Sequence, residues 1–257
     1  MENTNLVYLL ILLVPVLIFN YRYDLKNNKR VLYVVFRMTL QLSIIGLVLQ
    51  YFFDLNKSWV NIAYVTFMMT VASHSMLKTT KLSIRRFGPA IWLSVFIPHM
   101  LVLLFFNYFI VDLNNIFDAR YLIPIGGMIL GNSLSGNILA INNFYTRLKD
   151  QEKQYYYTLG LSTNRAEALR PYFTYALSSS ISPTMASMET IGLVALPGMM
   201  TGQILGGSIP ITAIKYQIAI MIAIFVTRYF TAILAIKLTS AKAFDSYDRL
   251  LPTIGEK

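Results

Sequence analysis

The sequence contains no cysteine, which excludes disulfides, thiolate metal sites and cysteine nucleophiles. Charge is scarce as well. Asp, Glu, Lys and Arg together make up 13% of the 257 residues, where a soluble domain carries about 25%. Histidine occurs twice, as His74 and His99 in different apolar segments, so a metal centre shared by the two would need a further ligand. No G-x-x-x-x-G-K-[ST] phosphate loop occurs anywhere, so any nucleotide that drives this protein binds elsewhere. Long hydrophilic stretches are missing too. The longest segment between apolar runs, 146–170, has 25 residues and leaves no room for a separate soluble catalytic domain.

What remains is apolar. Hydrophobic residues make up 56% of the chain and the mean hydropathy is +0.54, too few polar side chains to cover a globular surface. The composition therefore predicts an all-α polytopic membrane protein, a single transmembrane domain over 1–257. Seven apolar spans are expected: Leu6–Tyr23, Leu32–Phe53, Trp59–Leu77, Pro89–Val111, Tyr121–Tyr145, Pro171–Leu196 and Thr212–Ile236. Each is close to the ~20 residues that cross about 30 Å of hydrocarbon. The first is short and contains Pro15. A cleaved signal peptide is its rival, but Met1–Asn5 carries no positive charge and no small-x-small cleavage site follows, so a first transmembrane helix is preferred.

Charge placement predicts orientation. Seventeen of the 22 Lys and Arg fall in segments 21–31, 78–88, 146–170 and the tail, and only Lys57 and Arg120 fall in the alternate loops. The positive-inside rule then puts the N-terminus outside and the C-terminus in the cytoplasm. It also explains the net charge of +10 without a nucleic-acid partner. Arg37, Lys215 and Arg228 lie within spans. Arg37 and Arg228 are expected in the inner halves of theirs, snorkelling to the interface or pairing there.

Segment 146–170 has a pattern of its own. Residues 149–159 suit a short helix with Gly160 as its stop. Asn164 and Glu167 form a capping box for the next helix. The patch Tyr155, Tyr156, Tyr157, Leu159, Gly160, Leu161 and Ser162 reads either as an aromatic docking surface for a cytoplasmic partner or as an ordinary interfacial loop. The sixth span carries Pro183 after a serine run, a hinge or a static kink whose freed backbone groups the serines can recapture. It also carries Glu189, with Met185 and Gly192 on the same helix face and Met188 beside it. A carboxylate next to thioethers suits a cation such as Fe²⁺ or a soft metal. The competing reading is an ion pair, with Lys215 at similar depth as partner. On the fifth span Gly127, Gly131 and Ser135 form one small-residue ridge and Gly136 and Ala140 another, both permitting close helix approach. Asn132 and Asn137 either bond neighbouring helices or line a path. Segment 197–211 is uncharged, glycine-rich and too short to cross, so it is a re-entrant turn or an interfacial loop.

Several blocks resemble a known family. Ile123–Ile129 with Gly131-Asn132, Thr190–Val194, Leu196-Pro197-Gly198-Met199-Met200-Thr201-Gly202 and Ala213–Ile218, which includes Lys215, are similar to the FetB-type permeases. These are membrane subunits of a bacterial ABC transporter linked to iron export, with plant relatives connected to aluminium tolerance. The likeness runs from about Arg37 onward. It implies a homodimeric permease in the bacterial inner membrane, exporting a metal cation such as iron by ATP-driven alternating access. It implies no enzyme activity and no cofactor in this chain, with ATP and Mg on a separate cytoplasmic ABC ATPase that meets Leu159-Gly160. Family members carry Asp or Asn where Ala186 stands and Lys where Glu189 stands. A stand-alone carrier or channel, a membrane scaffold, and an ABC permease for a small organic or sugar-nucleotide substrate are the alternatives.

Overall fold

The computed structural model describes residues 11–25 and 27–251, and they are helical almost throughout. Among them, β-structure is limited to two single-residue bridges, Ile191 with Ala195 and Phe244 with Leu250. The chain divides into two compact units, one ending at Leu55 and one beginning at Asn56.

The first unit holds α1 (Leu13–Arg22) and α2 (Asn28–Leu55). Asn28 Nδ2 donates to the Leu17 carbonyl at 3.2 Å and ties the two together. Residues 6–10 of the first expected span lie outside the described residues, and α1 itself has ten residues. The second unit holds α3 (Ser58–Thr80), α4 (Ile84–Phe105, continued by a π-helical turn over Phe106–Ile110) and α5 (Ala119–Asp150). They are followed by α6 (Glu152–Leu161), α7 (Arg165–Thr190), α8 (Gly198–Leu205) and α9 (Pro210–Ala243). Within this unit α5 and α9 are central. Helix α9 packs along α4, α5, α7 and α8, and α5 packs against α3, α4 and α7 as well.

Among the described residues, five helices are long and apolar enough to cross a bilayer: α2, α3, α4 with its π turn, α5 and α9. They match expected spans two, three, four, five and seven. The sixth expected span differs. Helix α7 begins at Arg165, so Pro171 is well inside it, and it ends at Thr190, before the apolar Ile191–Leu196 stretch that made the sequence window look like a span. What α7 retains is rich in serine and threonine.

Local chemistry explains the close approaches. Glycines on α5 let neighbours in: a β-carbon at Gly126 would stand 3.2 Å from Leu103 Cδ2 of α4, and one at Gly127 3.2 Å from Met68 Cε of α3. Gly131, by contrast, has nothing near it. The expected Gly127–Gly131–Ser135 ridge is therefore used only at its first position for close packing. At the ends of these helices, asparagines hold the turn before α5. Asn56 donates to Asp118 Oδ2 and accepts from the Ala119 amide, both at 2.9 Å. Asn61 donates to the Phe117 carbonyl at 2.9 Å and Asn107 to the Ile116 carbonyl at 2.8 Å. These are short polar side chains satisfying backbone groups that no helix can.

Candidate functional site

At one end of the bundle, α6 and the start of α7 form a braced elbow. The capping pair acts as expected in its first half and shifted by one in its second: Asn164 Oδ1 accepts from the Glu167 amide, and Glu167 Oε2 accepts from Thr163, the amide before the N-cap, each at 3.0 Å. Such a cap is worth about 1 kcal/mol. Gly160 is not the stop expected for α6, which runs through it to Leu161. Ser162 ends the helix in an extended conformation, its hydroxyl donating to the Thr158 carbonyl at 2.7 Å, so no left-handed residue is required.

Tyr155 also departs from expectation. It is 1% exposed, packed against Tyr172 and Phe244, and its hydroxyl donates to the Asp248 carbonyl at 2.9 Å. Burial, with the Asp248 carboxylate adding to it, pushes its pKa up to about 12. Arg165 binds Asp248 Oδ1 at 2.7 Å and lies over the Phe244 ring. The C-terminal segment thus clasps the elbow, and Tyr155 is a structural pin instead of a docking anchor. Nothing in 149–162 taken alone signals this, because all three partners lie outside it and two of them, Phe244 and Asp248, some 90 residues away. Of the remaining patch, Tyr156 is half-buried with its hydroxyl on Glu152 at 3.0 Å, and Leu159 and Ser162 are half-buried. Tyr157, Gly160 and Leu161 are exposed, Tyr157 at 71% and Leu161 at 73%. Spaced i, i+3 and i+4, these three make one open face.

The second region is a polar face formed by α7 and α5. Thr174, Tyr175, Ser178, Ser182, Met185, Ala186 and Glu189 are all exposed and recur at helical spacing along α7, while Ala168, Tyr172, Ala176, Ile181 and Thr184 point into the bundle. Helix α5 adds exposed Gly131, Asn132 and Ser135. Hydroxyls, an amide and a carboxylate in a row do not suit hydrocarbon, so such a face turns to a hydrated path or to another protein.

Individual expectations fare unevenly here. Glu189 is exposed on this face, Met185 is 49% exposed and Met188 half-buried. Gly192 lies beyond the helix end in a turn with φ +82°, so it does not extend the Met185–Glu189 face. Glu189 forms no pair with Lys215, and register explains why. Thr184 of α7 is level with Arg228 of α9, and from that level Glu189 is five residues out but Lys215 is thirteen. At 1.5 Å per residue the two differ in depth by about 12 Å. Lys215 is exposed instead at one end of an apolar groove of about 630 Å³ between α4 and α9, lined by residues such as Ile97, Leu101, Phe105 and Ile222. Pro183 sits inside a continuous α7. The nearby serines donate to the carbonyls of Leu177, Ser178 and Pro183 at 2.8 Å, not to Ser179, whose acceptor the proline leaves free. Asn132 is exposed and bonds its own helix at the Met128 carbonyl, 2.8 Å. Segment 197–211 contains α8, with Pro197 and Met199 half-buried, Gly198 and Gly202 exposed and Met200 buried. Among the described residues no three His, Asp or Glu gather as a metal site. His99 is fully buried, packed over Gly126, and neither ring nitrogen has a partner.

Of the two readings open for Arg228, snorkelling and pairing, the structure is against the first. Arg228 lies near the midpoint of α9, is 7% exposed, and reaches between α5 and α7. Its Nη1 donates to Thr184 Oγ1 and its Nη2 to Ser135 Oγ at 3.5 Å. The guanidinium lies against Gly136, where any β-carbon would overlap Nε. Among the described residues no carboxylate pairs with it, and Nε finds no acceptor. Burying an unpaired ion costs several kcal/mol. The Gly136–Ala140 row, read as a helix-packing ridge, was the available signal: its glycine receives an arginine, not a helix.

Membrane-length apolar helices around a polar face define a multi-pass α-helical membrane protein. The comparisons with known proteins say which kind. The chain belongs to the uncharacterised protein family UPF0014, whose model matches residues 3–244. It is 31% identical over 252 residues to the Escherichia coli protein named "Probable iron export permease protein FetB", covering 98% of this chain and 95% of that one. It is 33% identical to "Protein ALUMINUM SENSITIVE 3" of Arabidopsis thaliana, covering 82% of this chain and 76% of that protein. To "UPF0014 membrane protein YjkA" of Bacillus subtilis it is 31% identical, with 87% and 88% covered. No solved structure matches the chain.

Proposed function

We propose that this chain is the membrane subunit of an ABC transporter, working as a homodimer in the bacterial inner membrane with a separate cytoplasmic ATPase. The observation that carries the reading is the elbow. A short helix braced from behind by Tyr155, Arg165 and Asp248 leaves Tyr157, Gly160 and Leu161 open on its outer side. A rigid support under an exposed aromatic and aliphatic face suits a lever that takes a push from a partner. The absence of a phosphate loop from the sequence fits an ATPase on another chain. The polar α5–α7 face then meets its counterpart in a second copy, and the two enclose the path. ATP binding and hydrolysis alternate the access of that path. Export of a metal cation such as iron is the first substrate reading, supported by the name of the Escherichia coli relative.

The test is co-purification with an ABC ATPase, followed by vanadate-sensitive iron transport by the reconstituted complex. Substrate movement by the purified chain alone, without ATP, would sink the proposal and favour a stand-alone carrier.

A further inference from the structure

We infer that Arg228, with Ser135 and Thr184, forms an oxyanion-binding station on the polar α5–α7 face, taking a phosphate or carboxylate group. Arg228 has unmet bonding capacity. A guanidinium has five N–H donors and stays charged at any physiological pH. Arg228 uses two, one toward Thr184 Oγ1 and one toward Ser135 Oγ at 3.5 Å, beyond the ordinary range for such a bond. Its Nε has no acceptor. It is 7% exposed, in the middle of an apolar helix, and unpaired with any carboxylate among the described residues. An arginine placed there only to hold three helices together would carry a carboxylate partner, since hydroxyls leave its charge uncompensated.

The surroundings fit an anion. Gly136 lets the guanidinium lie flat on α5, which turns its Nη edge toward Thr184 and Ser135. Ser135 is exposed, so one side chain separates that edge from the open face. A phosphate or carboxylate arriving over Ser135 takes the place of its weak contact, receives N–H donors from the guanidinium edge, and can accept from both hydroxyls. That is the paired geometry arginine offers oxyanions. The inference rests on the permease reading for its consequence. A passenger on this path presents an oxyanion, so a metal ion would cross as an anionic complex and not bare.

The experiment uses the full chain purified in detergent and depleted of lipid, titrated with inorganic phosphate at constant ionic strength, with thermal unfolding as the readout. A saturable rise in Tm is expected for the wild type, weakened about tenfold in apparent affinity by Arg228→Lys and lost in Arg228→Gln. Should Arg228→Gln not fold, Ser135→Ala, a change at an exposed position, must still weaken the response. A second arm compares phosphatidylcholine nanodiscs with and without phosphatidylglycerol. Stabilisation by phosphatidylglycerol but not by free phosphate, again lost in Arg228→Gln, keeps the station and assigns it to a lipid headgroup. No response to either probe, or equal responses from wild type and all variants, overturns the inference. No ATPase is present in these assays. ATP-driven transport without any anion response rejects the station alone, and an anion response without any ATPase partner rejects the permease reading alone.

Discussion

The elbow and the membrane face treat charge in opposite ways. At the elbow, Arg165 has Asp248 at 2.7 Å, Asp245 holds Arg249 at 2.9 Å, and the buried tyrosine hydroxyl has a carbonyl. On the α5–α7 face, Arg228 has two hydroxyls and no carboxylate, while Glu189 has no partner at all among the described residues. Water would have solvated the elbow charges at little cost, yet they are paired; burial penalises the Arg228 charge heavily, yet among the described residues no carboxylate offsets it. Paired charges mark a brace that is finished within one chain, even where its outer face, Tyr157, Gly160 and Leu161, stays open. Unmet capacity marks a part that is completed by something else.

If the elbow is finished, removing its pin must be felt as core damage. Tyr155→Ala is expected to cost about 3–5 kcal/mol, the range for deleting a buried aromatic. Denaturant unfolding in detergent measures it. A cost under about 0.5 kcal/mol, typical of surface positions, would mean that the C-terminal clasp is not a structural brace.

The next effect probes the seat of Arg228. Gly136→Ala puts a methyl group where Nε lies, and should destabilise by about 1–3 kcal/mol, as overpacking does. In an Arg228→Ala background the clash is gone, and the same change should instead stabilise by about 0.5–1 kcal/mol, the helical preference for alanine over glycine. A change of sign between backgrounds is the coupling expected of two residues in direct contact. Equal effects in both would move the guanidinium off Gly136 and weaken the contrast between the two regions.

How much of this was readable from the sequence follows from the range of each interaction. The capping pair of Asn164 and Glu167 was legible because both residues act within one turn. Five of the seven spans were legible because apolar length alone defines them. The sixth was misjudged at its end, where Ile191–Leu196 continues the apolar composition after the helix has stopped, with the turn at Gly192 as the break. Tyr155 looked like an anchor because its partners, Tyr172, Phe244 and Asp248, arrive from distant sequence. Arg228 reads as either snorkelling or paired because depth along a helix is estimable but the neighbour across from it is not. The supposed Glu189–Lys215 pair failed for the same reason, since two outer-half residues on different helices share a depth only if the register allows it.

The smallest expected effect on stability separates the two regions most sharply. Asp248→Asn and Glu189→Gln each remove one negative charge and little else. At the elbow the charge is engaged with Arg165, both side chains a third or more exposed, so its loss costs about 0.2–1 kcal/mol. On the membrane face Glu189 is exposed and unpaired, so neutralising it should leave unfolding within about 0.5 kcal/mol of the wild type. Function should rank them the other way. In a complex reconstituted with the proposed ATPase, Glu189→Gln is expected to reduce any iron transport that the complex shows, and Asp248→Asn to leave it nearly intact because Tyr155 still pins the elbow. Unchanged transport in Glu189→Gln would take that carboxylate out of the mechanism. It would also leave Arg228 as the face's one charge with work to do.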